Sequence, residues 1–239
     1  MSVAAVSDVH GNLPALEAVL AEIEREGVDA IVCCGDVAAG PLPGETCDRL
    51  MALGGARFVR GNADREMVEE FDAGDLHDFA TAQLEPRHRD FLASFEATAT
   101  LEIEGLGRAV FCHATPRSDE EFITAITPEE RLASVVEDAR ADLVLCGHVH
   151  CQFDRHAAST RIVNVGSVGL PYEGRPGAYW ALLGPDVSLR RTEYDLDAAI
   201  ERMRAGGHPD LDELLRESLL EPVSPEEVAR YFEGMAPSS

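Results

Sequence analysis

Short apolar runs alternate with amphipathic stretches along the beginning of the chain. Residues 2–7 form an apolar run, and the segment after them carries leucine, valine and isoleucine at helical spacing up to Gly27. A second apolar run at 30–34, a helical pattern at 45–53 and a third run at 57–60 repeat this order. Alternation of strands and helices predicts a parallel sheet with helices packed on it.

The middle of the chain is polar and then turns to strands. We expect residues 64–96 to form a helical cap that packs through five side chains, namely Phe79, Leu84, Phe91, Leu92 and Phe95. Two apolar segments at 101–103 and 109–112, separated by glycines, predict a hairpin. Short strands bounded by glycine and proline follow at 161–165, 179–183 and 187–192, and we expect them to form a second sheet.

Two segments carry the signature of a helix start. They are Thr127-Pro128-Glu129-Glu130 and Ser224-Pro225-Glu226-Glu227. Each offers a hydroxyl N-cap, a proline in the first turn and a glutamate three residues after the cap, which together predict a capping box. The first helix leads to an apolar strand at 143–146, and the second lies in a helical C-terminal segment at about 195–235.

The size and charge of the chain limit its class. Its 239 residues suffice for a buried core, and we interpret 1–239 as a single domain. Acidic residues outnumber basic ones by 44 to 20, a net charge of −24, and every basic residue is arginine. Such a surface repels polyanions and argues against a nucleic-acid partner. Codon usage that favours arginine and adaptation to high salt both account for this composition.

Cysteine usage and the length of the apolar runs indicate a cytoplasmic protein. None of the six cysteines forms a Cys-x-x-Cys pair, and four lie in apolar runs, where a thiol behaves as a small hydrophobic group. Candidate ligands within the first ten residues argue against a removable leader. No apolar stretch approaches the roughly 18 residues of a membrane span. We expect no membrane partner, and a homodimer stays open.

Five motifs of acid, amide and histidine residues follow these predicted strands. In chain order they are Asp8-Val9-His10, Gly35-Asp36, Gly61-Asn62-Ala63-Asp64, His113 and Gly147-His148-Val149-His150. A lone histidine or aspartate is more often structural, but carboxyl ends of parallel strands bring distant side chains together. Alternate side chains of an extended segment point the same way. We therefore expect Asp8 and His10 to hold one metal, and Asp36 to bridge two.

This ordered set resembles the calcineurin-like metallophosphoesterases, whose pattern is D-x-H, G-D, G-N, a lone H and G-H-x-H. The resemblance implies an α/β fold, a four-layer α/β/β/α sandwich with two metals at the strand ends. Position by position, it implies that one metal is bound by Asp8, His10, Asp36 and His150. It implies that the second is bound by Asp36, Asn62, His113 and His148. The segment 40–45 resembles a subgroup of small prokaryotic phosphodiesterases that includes diadenosine polyphosphate hydrolases.

The resemblance also implies a reaction. Two divalent ions would hold a bridging hydroxide that hydrolyses a phosphodiester or phosphoanhydride of a small nucleotide-type or aryl substrate. Manganese is favoured, and nitrogen and oxygen ligands also admit iron, cobalt, nickel or zinc. The candidate catalytic residues are Asp36, Asn62 and His113. The alternatives are a broad phosphomonoesterase or protein phosphatase, and a catalytically silent metal-binding scaffold.

One position departs from the family's pattern. Many members carry a histidine after the asparagine that protonates the leaving group, whereas this chain has Ala63. Leaving groups that are stable as anions should therefore react best. Asp64 is expected to be structural, and His77 in the cap could replace the missing acid. Arg65 and Arg117, together with Asn62, are candidates to bind the substrate phosphate, with ion pairing to surface acids as the alternative for the arginines.

Overall fold

The structure is a computed structural model that describes residues 1–69 and 75–235. For residues 75–78 it describes the backbone alone. Within this part, ten strands follow one another as β1 (Val3–Val6), β2 (Ala30–Cys33), β3 (Arg57–Phe58), β4 (Ala99–Ile103), β5 (Gly107–Phe111), β6 (Leu143–Cys146), β7 (Phe153–Ala157), β8 (Thr160–Asn164), β9 (Ala178–Leu183) and β10 (Val187–Thr192). Its α-helices are α1 (Leu13–Glu26), α2 (Pro43–Met51), α3 (Asn62–Glu69), α4 (Asp75–Gln83), α5 (Pro86–Ala93), α6 (Glu129–Val136), α7 (Leu196–Ala205), α8 (Leu211–Leu215) and α9 (Pro225–Met235). The side chain of His77 lies outside the described residues.

The strands form two five-stranded sheets. The first has the order β10-β9-β1-β2-β3, and the second has the order β4-β5-β6-β8-β7. β1, β2 and β3 are parallel to one another, as are β5, β6 and β8. Their carboxyl ends therefore carry the loops that hold the motifs.

The two sheets pack face to face between outer layers of helices. Along β1, Val3 and Ala5 enter the core between the sheets, whereas Ala4 and Val6 enter the core under the helices. Alternate side chains of a strand point to opposite faces, so a strand covered on both sides is apolar throughout. The other outer layer is α6, which packs on the second sheet. The predicted four-layer α/β/β/α sandwich is confirmed.

The prediction that the late strands form a second sheet of their own is wrong. Of these strands, only β8 joins the second sheet, while β9 pairs antiparallel with β1 and β10 pairs with β9. The register sets Val3 opposite Leu183. β9 therefore lies inside the first sheet, between β10 and β1. β7 was not predicted, because this edge strand has the polar sequence FDRHA and buries only its ends.

One of the two predicted capping boxes forms. At α9, the Ser224 Oγ and the Glu227 backbone N–H lie 3.3 Å apart, and the Glu227 carboxylate accepts from the Ser224 backbone N–H at 3.2 Å. At α6, the N-cap is Pro128 instead of Thr127, without a side-chain cap. The Thr127 hydroxyl instead accepts from the Thr124 backbone N–H at 2.8 Å and donates to Glu233. Tertiary partners compete successfully for this hydroxyl.

Helices make up most of the described parts of the cap segment, 64–69 and 75–96, and most of the tail. α3 and α5 pack together, and the Phe91 ring contacts Phe58 edge to face with centroids 4.9 Å apart. In the tail, Leu211, Leu215 and Leu219 are buried in the core under the first sheet. Among the described helices, none is both long enough and apolar enough to cross a membrane.

Candidate metal centre

The loops at the strand ends bring the predicted ligands together in two clusters. One consists of Asp8, His10 and His150, and the other of Asp36, His113 and His148. In each cluster the potential ligand atoms lie within 4.8 Å of one another. Asn62, the first residue of α3, joins the second cluster, with its Oδ1 3.1 Å from His113 Nε2.

Asp36 lies between the two clusters. Its Oδ2 is 3.3 Å from His113 Nε2 and 3.8 Å from His10 Nε2. Its Oδ1 accepts the backbone N–H of Ala63 at 2.9 Å, so this bond fixes the carboxylate and leaves Oδ2 to face both clusters. This position is the one expected for a residue that bridges two ions.

The backbone of the ligand loops is left-handed. Five of the seven non-glycine residues with positive φ in the described chain are predicted ligands: Asp8 at 53°, His10 at 46°, Asp36 at 54°, His148 at 70° and His150 at 57°. Each such residue costs on the order of 1–2 kcal/mol. The prediction that Asp8 and His10 converge along an extended segment is therefore wrong, since a left-handed turn brings them together.

Two glycines let the loops approach closely. A Cβ on Gly61 would lie 2.0 Å from Asp36 Oδ1, and one on Gly147 would lie 2.0 Å from Ser7 Oγ and 2.2 Å from Asp8 Oδ2. Both positions therefore exclude any larger residue. The glycines that precede Asn62 and His148 are required by the packing around the carboxylates.

Backbone carbonyl oxygens fix the orientation of all four histidine rings. His10 Nδ1 faces the carbonyl oxygen of Ala39, His113 Nδ1 that of Cys34 and His150 Nδ1 that of Leu170. His148 instead turns its Nε2 to the carbonyl oxygen of Glu120. The four distances are 2.7–3.3 Å. A carbonyl only accepts, so each of these nitrogens carries the hydrogen. The opposite nitrogen of each ring is left to face the cluster, as in metal-binding histidines.

Inward-facing ring nitrogens of different histidines lie against one another, and one carboxylate oxygen has no hydrogen-bond partner. His10 Nε2 lies 3.2 Å from His150 Nε2, and His113 Nε2 lies 3.1 Å from His148 Nδ1. Two lone pairs at this distance repel unless a proton or a cation lies between them. Asp8 Oδ1 is buried without a hydrogen-bond partner, although Oδ2 accepts the His148 N–H at 3.0 Å. This set of oxygen and nitrogen donors fits divalent transition-metal ions.

The ionisable side chains of the second cluster shift one another's pKa values. Burial alone would raise the pKa of Asp36, but the adjacent His113 holds it well below its usual range. Burial would lower the pKa of His113, and Asp36 instead raises it to about 10. Burial and the His113 charge lower the pKa of His148 to about 4. Asp36 therefore stays ionised and His148 stays neutral at pH 7, whereas His113 would release a proton when a metal binds.

Asp64 ties the ligand loops together. Its buried carboxylate accepts backbone N–H groups from Asp36, Val37 and Gly61 at 2.8, 3.0 and 3.0 Å. Burial and the charge of Asp36 raise its pKa to about 6. Its contacts are with backbone groups of two ligand loops, which supports the structural role expected for it.

The two arginines predicted to bind phosphate are engaged by acids. Arg65 pairs with Asp119 at 2.8 Å and Glu120 at 2.5 Å, and Arg117 pairs with Glu121 at 2.5 Å. These contacts favour the ion-pairing alternative. The phosphate-binding role of Arg65 and Arg117 stays a prediction.

Sequence reasoning missed Arg60 as a candidate. It lines a cavity of about 150 Å³ beside His113, together with Thr115, Arg117 and Ser118. Arg60 makes no ion pair with any described residue, and its Nε is buried without a partner. Its place directly before Gly61-Asn62 was the available signal, but the absence of an ion pair is visible only in three dimensions.

Two sheets between helical layers, with acid and histidine clusters at the strand ends, define a metallophosphoesterase. The sequence matches the model of the calcineurin-like phosphoesterase superfamily domain over residues 1–184. The chain belongs to this superfamily. The predictions of family and of an enzyme are confirmed.

Individual proteins are similar to the chain in fold or in sequence. A metallophosphoesterase from Sphaerobacter thermophilus superposes with a TM-score of 0.75 at 28% identity, covering 90% of this chain and 97% of that one. A hypothetical protein from Pyrococcus horikoshii shares the fold with a TM-score of 0.78 at 20% identity, covering 92% and 97%. An uncharacterized protein from Methanocaldococcus jannaschii is 27% identical over 229 residues, which are 84% of this chain and 91% of that protein.

Proposed function

We propose that the chain hydrolyses phosphodiester or phosphoanhydride bonds of small nucleotide-type or aryl substrates, with one divalent ion at each cluster. The observation that carries this proposal is the position of Asp36 Oδ2, within 3.8 Å of one histidine from each cluster. Manganese is the preferred metal, and iron, cobalt, nickel or zinc fit the same ligands. Bound ions would lower the pKa of a water molecule and neutralise charge on the phosphoryl oxygens.

The side chains have separate tasks in this proposal. Asp8, His10 and His150 hold one ion, and His113, His148 and Asn62 hold the other, while Asp36 serves both. Asn62 and Arg60 face the substrate. Asn62 offers a neutral amide, and Arg60 offers a guanidinium that makes no ion pair with a described residue and suits a phosphate oxygen. The backbone carbonyls behind the four histidines hold a hydrogen on the outward nitrogen of each ring, so that the inward nitrogen faces the ion.

The absence of an acid after Asn62 selects the bond that is cleaved. Ala63 is buried, and its backbone N–H is used by Asp36. A leaving group that must be protonated is therefore poorly served, whereas an aryloxide or a phosphate leaves as an anion. This favours aryl esters and anhydrides over alkyl monoesters such as phosphoserine. The protein-phosphatase alternative is correspondingly disfavoured.

All six cysteines are buried and free. Burial raises the pKa of Cys47 to about 12, so its thiol stays protonated and unreactive at neutral pH. Free thiols are typical of proteins in a reducing compartment, where disulfides are rare. We infer a cytoplasmic location on this ground.

The proposal is tested by metal analysis and by an Asp36→Asn variant. We expect about two equivalents of metal per chain and activity on aryl diesters and nucleotide anhydrides. Asp36→Asn should lose at least about a hundredfold in kcat/KM, because it loses a charge shared by both sites. Asp197→Asn, an acid-to-amide change at an exposed position of α7, is the matched control. A chain that takes up no metal after dialysis against manganese would instead be a scaffold.

A further inference from the structure

A groove of about 440 Å³ lies between the C-terminal helix and the segment after His150. We call it the aromatic groove, and its walls are Tyr172, Glu217, Val223, Glu227, Val228, Tyr231 and Phe232. Its volume falls within the range of about 300–1,000 Å³ typical of small-molecule sites. None of the functions assigned above uses it.

Ring contacts link the walls of the aromatic groove to both metal clusters. Tyr172 stacks on His150 of the first cluster, with centroids 5.2 Å apart and planes at 17°. Phe232 contacts Phe122 at 4.7 Å, and Phe122 stacks on His148 of the second cluster at 5.0 Å and 6°. The groove walls are therefore one or two rings away from a ligand in each cluster.

The helix that carries Tyr231 and Phe232 is fixed in place. Glu233 of α9 accepts hydrogen bonds from Arg131 at 2.6 Å and from Thr124 at 2.9 Å, both beyond the His113 loop. At the other edge, Gly174 N–H donates to Val223 O at 2.8 Å. The segment 223–233 thus spans from the segment after His113 to the segment after His150. A groove fixed at both edges needs little ordering to bind a ligand.

The lining selects a neutral, flat occupant. Two of the described wall residues are glutamates and none is cationic, so a second phosphate would be repelled. Tyr231 is 65% exposed, which leaves its ring available for stacking. Glu217 is exposed and has no side-chain partner among the described residues, so its carboxylate can accept from an amino group.

We propose that the aromatic groove binds the nucleobase of a substrate whose phosphate lies at the metal centre, with Tyr231 as the stacking partner and Glu217 as acceptor for a base amino group. This inference rests on the proposed hydrolase function and narrows it to nucleotide substrates. Amino-bearing bases, adenine above all, would be preferred over uracil, because a carboxylate only accepts hydrogen bonds.

Two diesters with the same leaving group isolate the contribution of the base. They are the p-nitrophenyl diester of adenosine monophosphate and methyl p-nitrophenyl phosphate. With wild-type enzyme and manganese, we expect a higher kcat/KM for the adenosine diester. In Tyr231→Ala, the ratio of the two kcat/KM values should fall about tenfold, as when a base loses one stacking partner.

Two further variants separate stacking from general damage. Tyr231→Phe keeps the ring and should retain most of the preference. Met235→Ala removes another exposed apolar side chain of α9 that does not line the groove, and it should leave the ratio unchanged. A ratio that Tyr231→Ala does not alter would overturn the subsite while leaving the hydrolase function intact.

Binding without turnover distinguishes the two proposals. If neither diester is hydrolysed, the hydrolase function fails, and calorimetric affinity for AMP against ribose phosphate still tests the groove. A preference for AMP that disappears in Tyr231→Ala supports the subsite, and equal affinities overturn it. A dimer that becomes monomeric in Tyr231→Ala would assign the groove to a second copy of the chain and would also overturn it.

Discussion

At the scale of single residues, the site combines backbone strain with a buried carboxylate oxygen that has no hydrogen-bond partner. Asp8 has a left-handed backbone, and its buried Oδ1 has no hydrogen-bond partner. Both features cost stability in a protein without a ligand. They persist because surrounding hydrogen bonds, such as the one from His148 N–H to Asp8 Oδ2, hold the loops. A cation bound between the carboxylates and imidazoles would recover part of this free energy.

Arg60 is the residue whose replacement best separates phosphate binding from metal binding. Its guanidinium has no ion pair in the described chain, whereas Arg65 and Arg117 are neutralised by acids. We expect Arg60→Gln to raise KM about tenfold, since a charge-assisted hydrogen bond is lost, and to leave the metal content unchanged. Arg65→Gln and Arg117→Gln are the matched controls. Steady-state kinetics that show the larger KM effect in Arg117→Gln would favour the sequence-based assignment.

At the scale of elements, the loops hold the candidate ligands, and the strands determine where these loops lie. Backbone hydrogen bonds join the loop after β1 to the loop after β2, with Asp8 N–H donating to Gly35 O at 2.9 Å and His10 N–H to Asp36 O at 3.0 Å. Because these two loops share hydrogen bonds, a displacement of one moves the ligands of both clusters. Close packing between loops is therefore as important for metal binding as the ligands themselves.

Gly61→Ala tests this packing directly. The new Cβ would overlap Asp36 Oδ1, so Asp36 or α3 must move. We expect loss of metal from the second cluster and a stability loss of about 1–3 kcal/mol, as for other overpacked sites. Gly54→Ala is the matched control, because nothing lies within 4 Å of its added Cβ. Metal analysis and urea unfolding measure both effects, and full metal occupancy in Gly61→Ala would contradict the packing argument.

The convergence of the candidate ligands could be predicted from the sequence, whereas the arrangement of the strands could not. Asp8, Asp36 and His113 could be identified because each follows an apolar run that forms a strand. The place of β9 beside β1 could not be predicted, since the pairing of Val3 with Leu183 joins residues from opposite ends of the chain. That no acid in the described part of the chain pairs with Arg60 could not be predicted either, because ion pairs depend on which distant acids the fold brings near.

At the scale of the whole molecule, a strongly acidic protein carries a site for an anionic substrate. The net charge is −24, but charges farther apart than about 8 Å are largely screened at physiological ionic strength. Two bound divalent ions would bring four positive charges to a site with two carboxylates, Asp8 and Asp36. The local field therefore attracts a phosphate, and the acidic surface affects stability and solubility instead.

Self-repulsion of this surface predicts that salt stabilises the fold. Raising sodium chloride from about 0.05 M to about 1 M shortens the screening length to about 3 Å, which weakens repulsion among the 44 acids. Exposed pairs such as Arg202–Glu17 also weaken, but each contributes only about 0–1 kcal/mol. The melting temperature should therefore rise. Choline chloride at equal ionic strength should produce the same rise if screening is the cause. A flat or falling curve would mean that the acidity reflects codon usage.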